Sequence, residues 1–105
     1  MKLLYVAGPY TGKTDNEVYE NIQRARQRAK KYWELGYAVF CPHLNTAFFS
    51  GIVPEEQFLE AGLLLLSKCD AIALPVNWEL SKGTVAEVAY AEELGLEFII
   101  EGTKI

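Results

Sequence analysis

What most constrains this chain is an alternation: four short apolar runs separated by stretches with helical periodicity. Residues 2–7 (KLLYVA), 38–41 (AVFC), 70–74 (DAIAL) and 97–100 (EFII) have strand length and are mostly apolar. Between the first two, Val18, Ile22, Ala25, Ala29 and Tyr32 recur at spacings of four, three, four and three, one face of a long helix. Thr14 or Asp15 caps its start and Gly36 stops it. Glu55 to Lys68 reads as a second helix with Phe58, Leu59, Leu63 and Leu66 inward, and 83–94 as a third, ended by Gly95. Residues 43–54 read as an irregular connection, a length that in compact domains often carries function.

Strands alternating with helices build a parallel sheet with right-handed crossovers. The expectation is an α/β fold: a small flavodoxin-like three-layer sandwich, with a central parallel sheet of about four strands and helices on both faces. A length of 105 residues fits one domain, 1–105, and is too short for two cores. Ligands of such sheets bind beyond the carboxyl ends of the strands. Those ends are Gly8-Pro9-Tyr10, Pro42-His43-Leu44-Asn45 and the stretch from Pro75 to Gly83, which therefore converge on one edge.

Ser81-Lys-Gly-Thr-Val-Ala-Glu87 follows the third strand and opens the third helix. Free N–H groups at a helix start bind anions, and Glu87 falls about one turn inside. Two readings compete. Thr84 and Glu87 have capping-box spacing, in which the glutamate folds back onto the backbone. Alternatively, Glu87 is a reactive carboxylate beside an anion pocket, a reading favoured by the convergence of polar and aromatic loops above it.

Charge and composition exclude several classes. Fourteen acidic against ten basic side chains give a net charge of −4, which argues against a nucleic-acid groove. Arg24, Arg26, Arg28, Lys30 and Lys31 fall within one helix and read as a solvated face. Cys41 and Cys69 lack paired metal spacing and read as small core residues. His43 is the only histidine, so neither a metal cluster nor a Ser-His-Asp triad has much to build on, and no cofactor is implied. No membrane-length apolar stretch or signal peptide is visible, so no membrane partner and a cytoplasmic location are expected.

Ala7-Gly-Pro-Tyr-Thr-Gly-Lys-Thr14 nearly spells a phosphate-binding P-loop. Pro9 removes one N–H from a loop that works through N–H groups, and Asp15 and Glu17 crowd the helix start with negative charge. The run from Ala71 to Leu74 ends in Pro75 and offers no magnesium-binding aspartate. Nucleoside triphosphate hydrolysis is therefore not expected.

Together, Tyr5-Val-Ala-Gly-Pro, Cys69-Asp-Ala-Ile and Ser81-x-Gly-x-x-x-Glu87 resemble the nucleoside 2-deoxyribosyltransferase superfamily. The Gly-Pro-Tyr, Pro-His-Leu-Asn and Trp-x-x-Ser pieces are similar to its short phage and bacterial members of unassigned function. The chain also resembles 2′-deoxynucleoside 5′-phosphate N-hydrolases. The resemblance runs over nearly the whole chain, in the same element order.

It implies chemistry at C1′ of a nucleoside or nucleoside 5′-monophosphate, with Glu87 as nucleophile and Tyr5 orienting it through its hydroxyl. Gly8, Pro9, Tyr10, His43, Asn45, Trp78, Ser81, Gly83 and Thr84 are the expected substrate-binding residues, with Phe48 and Phe49 further candidates to line the base or to form a subunit contact. Serine at position 81, where transferases of free nucleosides have aspartate, suits a 5′-phosphate, and it equally suits a plain helix cap. The resemblance also implies a homodimer or higher homo-oligomer.

One departure stands out. Many members have a base-contacting aspartate eight residues before the strand-opening Asp70, and here that position is Gly62. General acid help is typically worth about 10²–10⁴ in rate. Two alternatives therefore stay open: a glycohydrolase of NAD- or ADP-ribose-type substrates, and a non-catalytic nucleotide-binding module.

Overall fold

The computed structural model describes residues 1–102; the last three residues of the expected domain 1–105 lie outside them. Four strands, β1 (Leu3–Val6), β2 (Ala38–Phe40), β3 (Ala71–Leu74) and β4 (Glu97–Ile100), form one parallel sheet in the order β2-β1-β3-β4. Four helices alternate with them: α1 (Asp15–Glu34), α2 (Pro42–Asn45), α3 (Glu55–Leu66) and α4 (Lys82–Leu94). This is the α/β sandwich the alternation requires.

Side-chain alternation along the strands divides the core into two layers. Leu4 and Val6 of β1, with Ala71 and Ala73 of β3, pack with Ala25, Ala29 and Tyr32 of α1. Tyr5, Ile72 and Leu74 point the other way, into a layer with Leu66 of α3 and Val88 and Ala91 of α4. Alanines on both α1 and β3 let that helix approach closely, while the bulky residues fill the opposite side. Both central strands are covered on both faces, which explains their near-continuous apolar runs. Cys41 and Cys69 are free and buried, as expected of core residues.

Element ends follow their local chemistry. Thr14 caps α1, its hydroxyl accepting from Glu17 N at 3.1 Å. The caps of α4 are Ser81 at its start and Gly95, in the left-handed region, at its end. Asp70 accepts from Leu3 N at 2.8 Å, on the amino edge of the sheet and far from the loops of interest.

Three expectations need correction. The connection after β2 is not irregular throughout, because Pro42 both ends the strand and opens the short α2, its fixed φ suiting the first turn of a helix. Along α3 only Leu66 is fully buried, and Leu59 is 57% exposed. That apolar side faces a cavity, not the core.

Arg28 is the third. It does not join a solvated face: its side chain is only 17% exposed and lies across the carboxyl ends of β1 and β3. Its guanidinium donates to Ala7 O at 2.7 Å and to Glu101 Oε1 at 2.7 Å, and the Tyr32 hydroxyl donates to the other Glu101 oxygen at 2.8 Å.

Candidate active site

A cavity of about 1000 Å³ opens at the carboxyl edge of the sheet, the side on which parallel sheets bind ligands. The strand β1 and its following loop contribute Tyr5, Gly8 and Tyr10. His43 and Asn45 come from α2, and Ser81, Gly83, Thr84 and Glu87 from the start of α4. Nine of the eleven sequence-predicted site residues are thus brought together. Pro9 and Trp78 do not line the cavity. Trp78 sits in a helical turn (Trp78–Leu80) and packs against the α3/α4 core layer, bordering a separate apolar groove. Phe48 and Phe49 also lie outside the lining and are exposed, Phe48 at 73%.

The local geometry excludes one of the two readings of Glu87, the capping box. The cap of α4 is Ser81, whose hydroxyl oxygen accepts from Thr84 N at 3.3 Å and from the Thr84 hydroxyl at 3.0 Å. Thr84 is therefore inside the helix, and the capping box at 84–87 does not form. Glu87, released from that task, reaches across to β1, where the buried Tyr5 hydroxyl donates to Glu87 Oε2.

A related cap forms at α1, with the glutamate's partner one residue before the cap. Thr14 accepts from Glu17 N, and Glu17 Oε1 reaches back to Lys13 N at 2.6 Å. Glu17 thus occupies one N–H, that of Lys13, in the stretch that resembles a P-loop.

Burial governs the electrostatics. Desolvation raises the Glu87 pKa to about 7, with the Tyr5 hydrogen bond pulling it partly back down. Tyr5 is pushed far above its ordinary value, first by burial and then by the Glu87 charge, so it stays a hydrogen-bond donor. His43 Nε2 lies 2.9 Å from Pro9 O, which can only accept, so that nitrogen carries a hydrogen. Burial lowers the His43 pKa and keeps the ring neutral. Its ring centroid lies 5.7 Å from that of Tyr10. His43 holds a loop and lines the cavity.

The loop after β1 is anchored from α1. Besides Arg28 at Ala7 O, Asn21 Nδ2 donates to Tyr10 O at 3.1 Å and Thr11 O at 3.2 Å. A Cβ on Gly8 would stand 2.9 Å from Arg28 Nη1, so a side chain there would displace the end of the guanidinium that donates to Ala7 O. Sequence reasoning missed Arg28, Asn21 and the cavity-lining Lys82 and Glu55. For Arg28 the only available signal was its place among apolar positions of α1, which a solvated face explains equally well.

Among the described residues, no group of three or more His, Cys, Asp or Glu side chains could hold a metal ion. Nor is any helix there long and apolar enough to cross a membrane.

A family model described as a domain of unknown function, DUF4406, matches residues 2–100. No curated protein matches the chain in sequence. Among solved structures, a 2-deoxyribosyltransferase from the psychrotolerant bacterium Bacillus psychrosaccharolyticus aligns with a TM-score of 0.62 and 21% identity, over 98% of this chain and 76% of that one. A 2-deoxyribosyltransferase from Leishmania mexicana aligns with a TM-score of 0.59 and 27% identity, over 95% of this chain and 63% of that one. The chain thus spans less than two thirds of the Leishmania protein's length. The fold is that of the nucleoside 2-deoxyribosyltransferase-like superfamily, in agreement with the sequence resemblance.

Proposed function

The chain belongs to the DUF4406 family, and on that footing we propose that it cleaves or transfers the N-glycosidic bond of a nucleoside or nucleoside 5′-monophosphate. Likeness in fold to two 2-deoxyribosyltransferases supports nucleoside glycosyl chemistry in general. The observation that carries the finer reading is Glu87: a carboxylate lining a cavity, held by Tyr5, at the start of a helix that faces the same space.

In this reading Glu87 Oε1 attacks C1′, since Oε2 is occupied by the Tyr5 hydrogen bond. The new C1′–O bond forms as the C1′–N bond breaks, and the electron pair leaves with the base, which takes a proton from solvent. Water or a second base then attacks C1′ and frees Glu87, the two-step logic of retaining glycosidases.

The 5′ end is assigned to Ser81 and Gly83. The Ser81 oxygen already accepts from Thr84 twice, so its own hydrogen is available to a phosphate oxygen. An anion there also benefits from the N-terminal end of α4. Tyr10, His43 and Asn45 line the remainder for the sugar and base. As the resemblance implies, the working form is a homodimer or larger homo-oligomer, which a solution mass measurement decides.

Glu87→Ala is expected to abolish base release from deoxynucleosides and their 5′-monophosphates, measured by chromatography, while circular dichroism stays unchanged. Base release at the wild-type rate would reject the mechanism. Because Glu87 must be ionised to attack, wild-type kcat/KM should rise with pH along a limb centred near its pKa of about 7.

A second reading, a non-catalytic nucleotide-binding module, is favoured by Gly62. It lies at the cavity wall, and Glu60 does not line the cavity to replace the missing acid. Tight monophosphate binding without turnover over many hours would select it. Products from NAD but not from deoxynucleotides would instead select the ADP-ribose-type alternative.

A further inference from the structure

The ladder between β1 and β3 stops at a pair of prolines. Its last bond is donated by Ala7 N to Ala73 O at 3.0 Å. With Val6 opposite Ala73, the next two bonds of a parallel ladder would run from the N–H of residue 75 to Ala7 O and from the N–H of residue 9 to the carbonyl of residue 75. Those residues are Pro75 and Pro9, which have no N–H to give. Ala7 is buried, so its carbonyl needs a donor from elsewhere.

Arg28 supplies it. Nη1 donates to Ala7 O at 2.7 Å and Nη2 to Ala73 O at 3.4 Å, so one guanidinium spans the two strands where their own bonding ends. Its Nε donates to Glu101 Oε1 at 2.7 Å. Glu101 is in turn placed by backbone, because the ladder on the other side of β3 runs on, with Glu101 N donating to Leu74 O at 2.9 Å.

The peptide joining Ala7 to Gly8 is trans, so its carbonyl and N–H point in opposite directions and fixing one fixes the other. Gly8 and Tyr10 line the cavity, and Arg28 itself does not. We infer that Arg28 is a positioning residue: it takes the place of the donor missing from Pro75 and thereby keeps the loop after β1 in the shape that receives the substrate. A loop released from Arg28 holds that shape only part of the time, and apparent affinity falls by that fraction. The kinetic side of this inference rests on the function proposed above.

The test removes the donor and then returns it from the backbone. Arg28→Met combined with Glu101→Gln leaves no buried charge unpaired. It is expected to raise KM for base release about tenfold, the scale of one lost hydrogen bond to a charged group, with kcat within about threefold. Adding Pro75→Ala restores an N–H opposite Ala7 O and should bring KM back to within about threefold of wild type. Should the double variant fail to fold, Arg28→Lys, which keeps the charge and gives up the planar fork, carries the same comparison. A purely structural Arg28 would lower Tm and leave KM per folded molecule unchanged. That result, or a raised KM that Pro75→Ala does not recover, overturns the inference.

Calorimetric binding of deoxynucleoside 5′-monophosphates to the same proteins separates this inference from the functional reading. If the wild type binds but does not turn over, the reaction is wrong, and a tenfold weaker complex that Pro75→Ala restores still supports the role of Arg28. If the wild type turns over and the Arg28 variants match it in KM and affinity, the inference is overturned and the reaction stands. A wild type that neither binds nor reacts overturns both.

Discussion

The pair of Tyr5 and Glu87 joins two side chains that each have a structural explanation and that together carry the proposed chemistry. Either residue alone has an ordinary explanation: a buried strand tyrosine whose hydroxyl needs a partner, and a glutamate on the first turns of a helix. Joined, they place an acid with a pKa raised to about 7 against a donor that does not ionise. Tyr5→Phe removes the interaction that lowers the Glu87 pKa. The acid limb of kcat/KM should therefore move to higher pH, and the rate at neutral pH should fall roughly 10–100-fold, the value of a hydrogen bond to a charged group. An unmoved limb would mean that Tyr5 does not act on Glu87. The spacing of residues 81–87 admitted both the capping box and the reactive acid. What excluded the capping box was Ser81 as the actual cap, one of the two roles that its place in the sequence allowed.

At the scale of elements, helix termini carry most of the site. The cavity is ringed by the start of α4, the short α2 and the loop leading into α1. The start of α4 and the loop into α1 are held by side chains that satisfy otherwise orphaned backbone groups, Ser81 at Thr84 N and Asn21 at Tyr10 O and Thr11 O. Ser81→Ala should cost about 1 kcal/mol, typical of a lost N-cap. It is measured as a fall in Tm of about 4–8 °C. Helix α3 behaves differently, since its leucines suggested an inward stripe and Leu59 instead borders open space. Periodicity reports which face is apolar. It does not report whether that face meets packed protein or an empty cavity.

For the whole molecule, the acid that would do the chemistry works against the fold. Glu87 is harder to ionise in the folded state than in the unfolded chain, whose ordinary value is 4.5. A raised acid pKa contributes stability that is fully present below about 4.5 and is lost as pH rises through about 7. The loss amounts to roughly 3 kcal/mol at most. Glu87→Gln, which keeps an acceptor for Tyr5 and never ionises, should therefore be more stable than wild type at pH 8. The gap should shrink to about a quarter at pH 5, as read by denaturant midpoints at the two pH values. An equal gap at both would remove burial of the charge as its cause. This is the trade between stability and activity expected of a desolvated reactive group.

Local patterns settled the layered architecture: strand-length apolar runs, a helical stripe on α1, and glycine or proline at the element ends were enough for a parallel sheet with its loops on one edge. Those features depend on nearest neighbours in sequence and on backbone geometry, so they can be read one segment at a time. The Tyr5–Glu87 contact and the burial of Arg28 beneath Gly8 join residues 82 and 20 positions apart. Such meetings, and the desolvation that comes with them, exist only after the sheet has closed between its helices, because both are properties of the space between segments and not of any one segment.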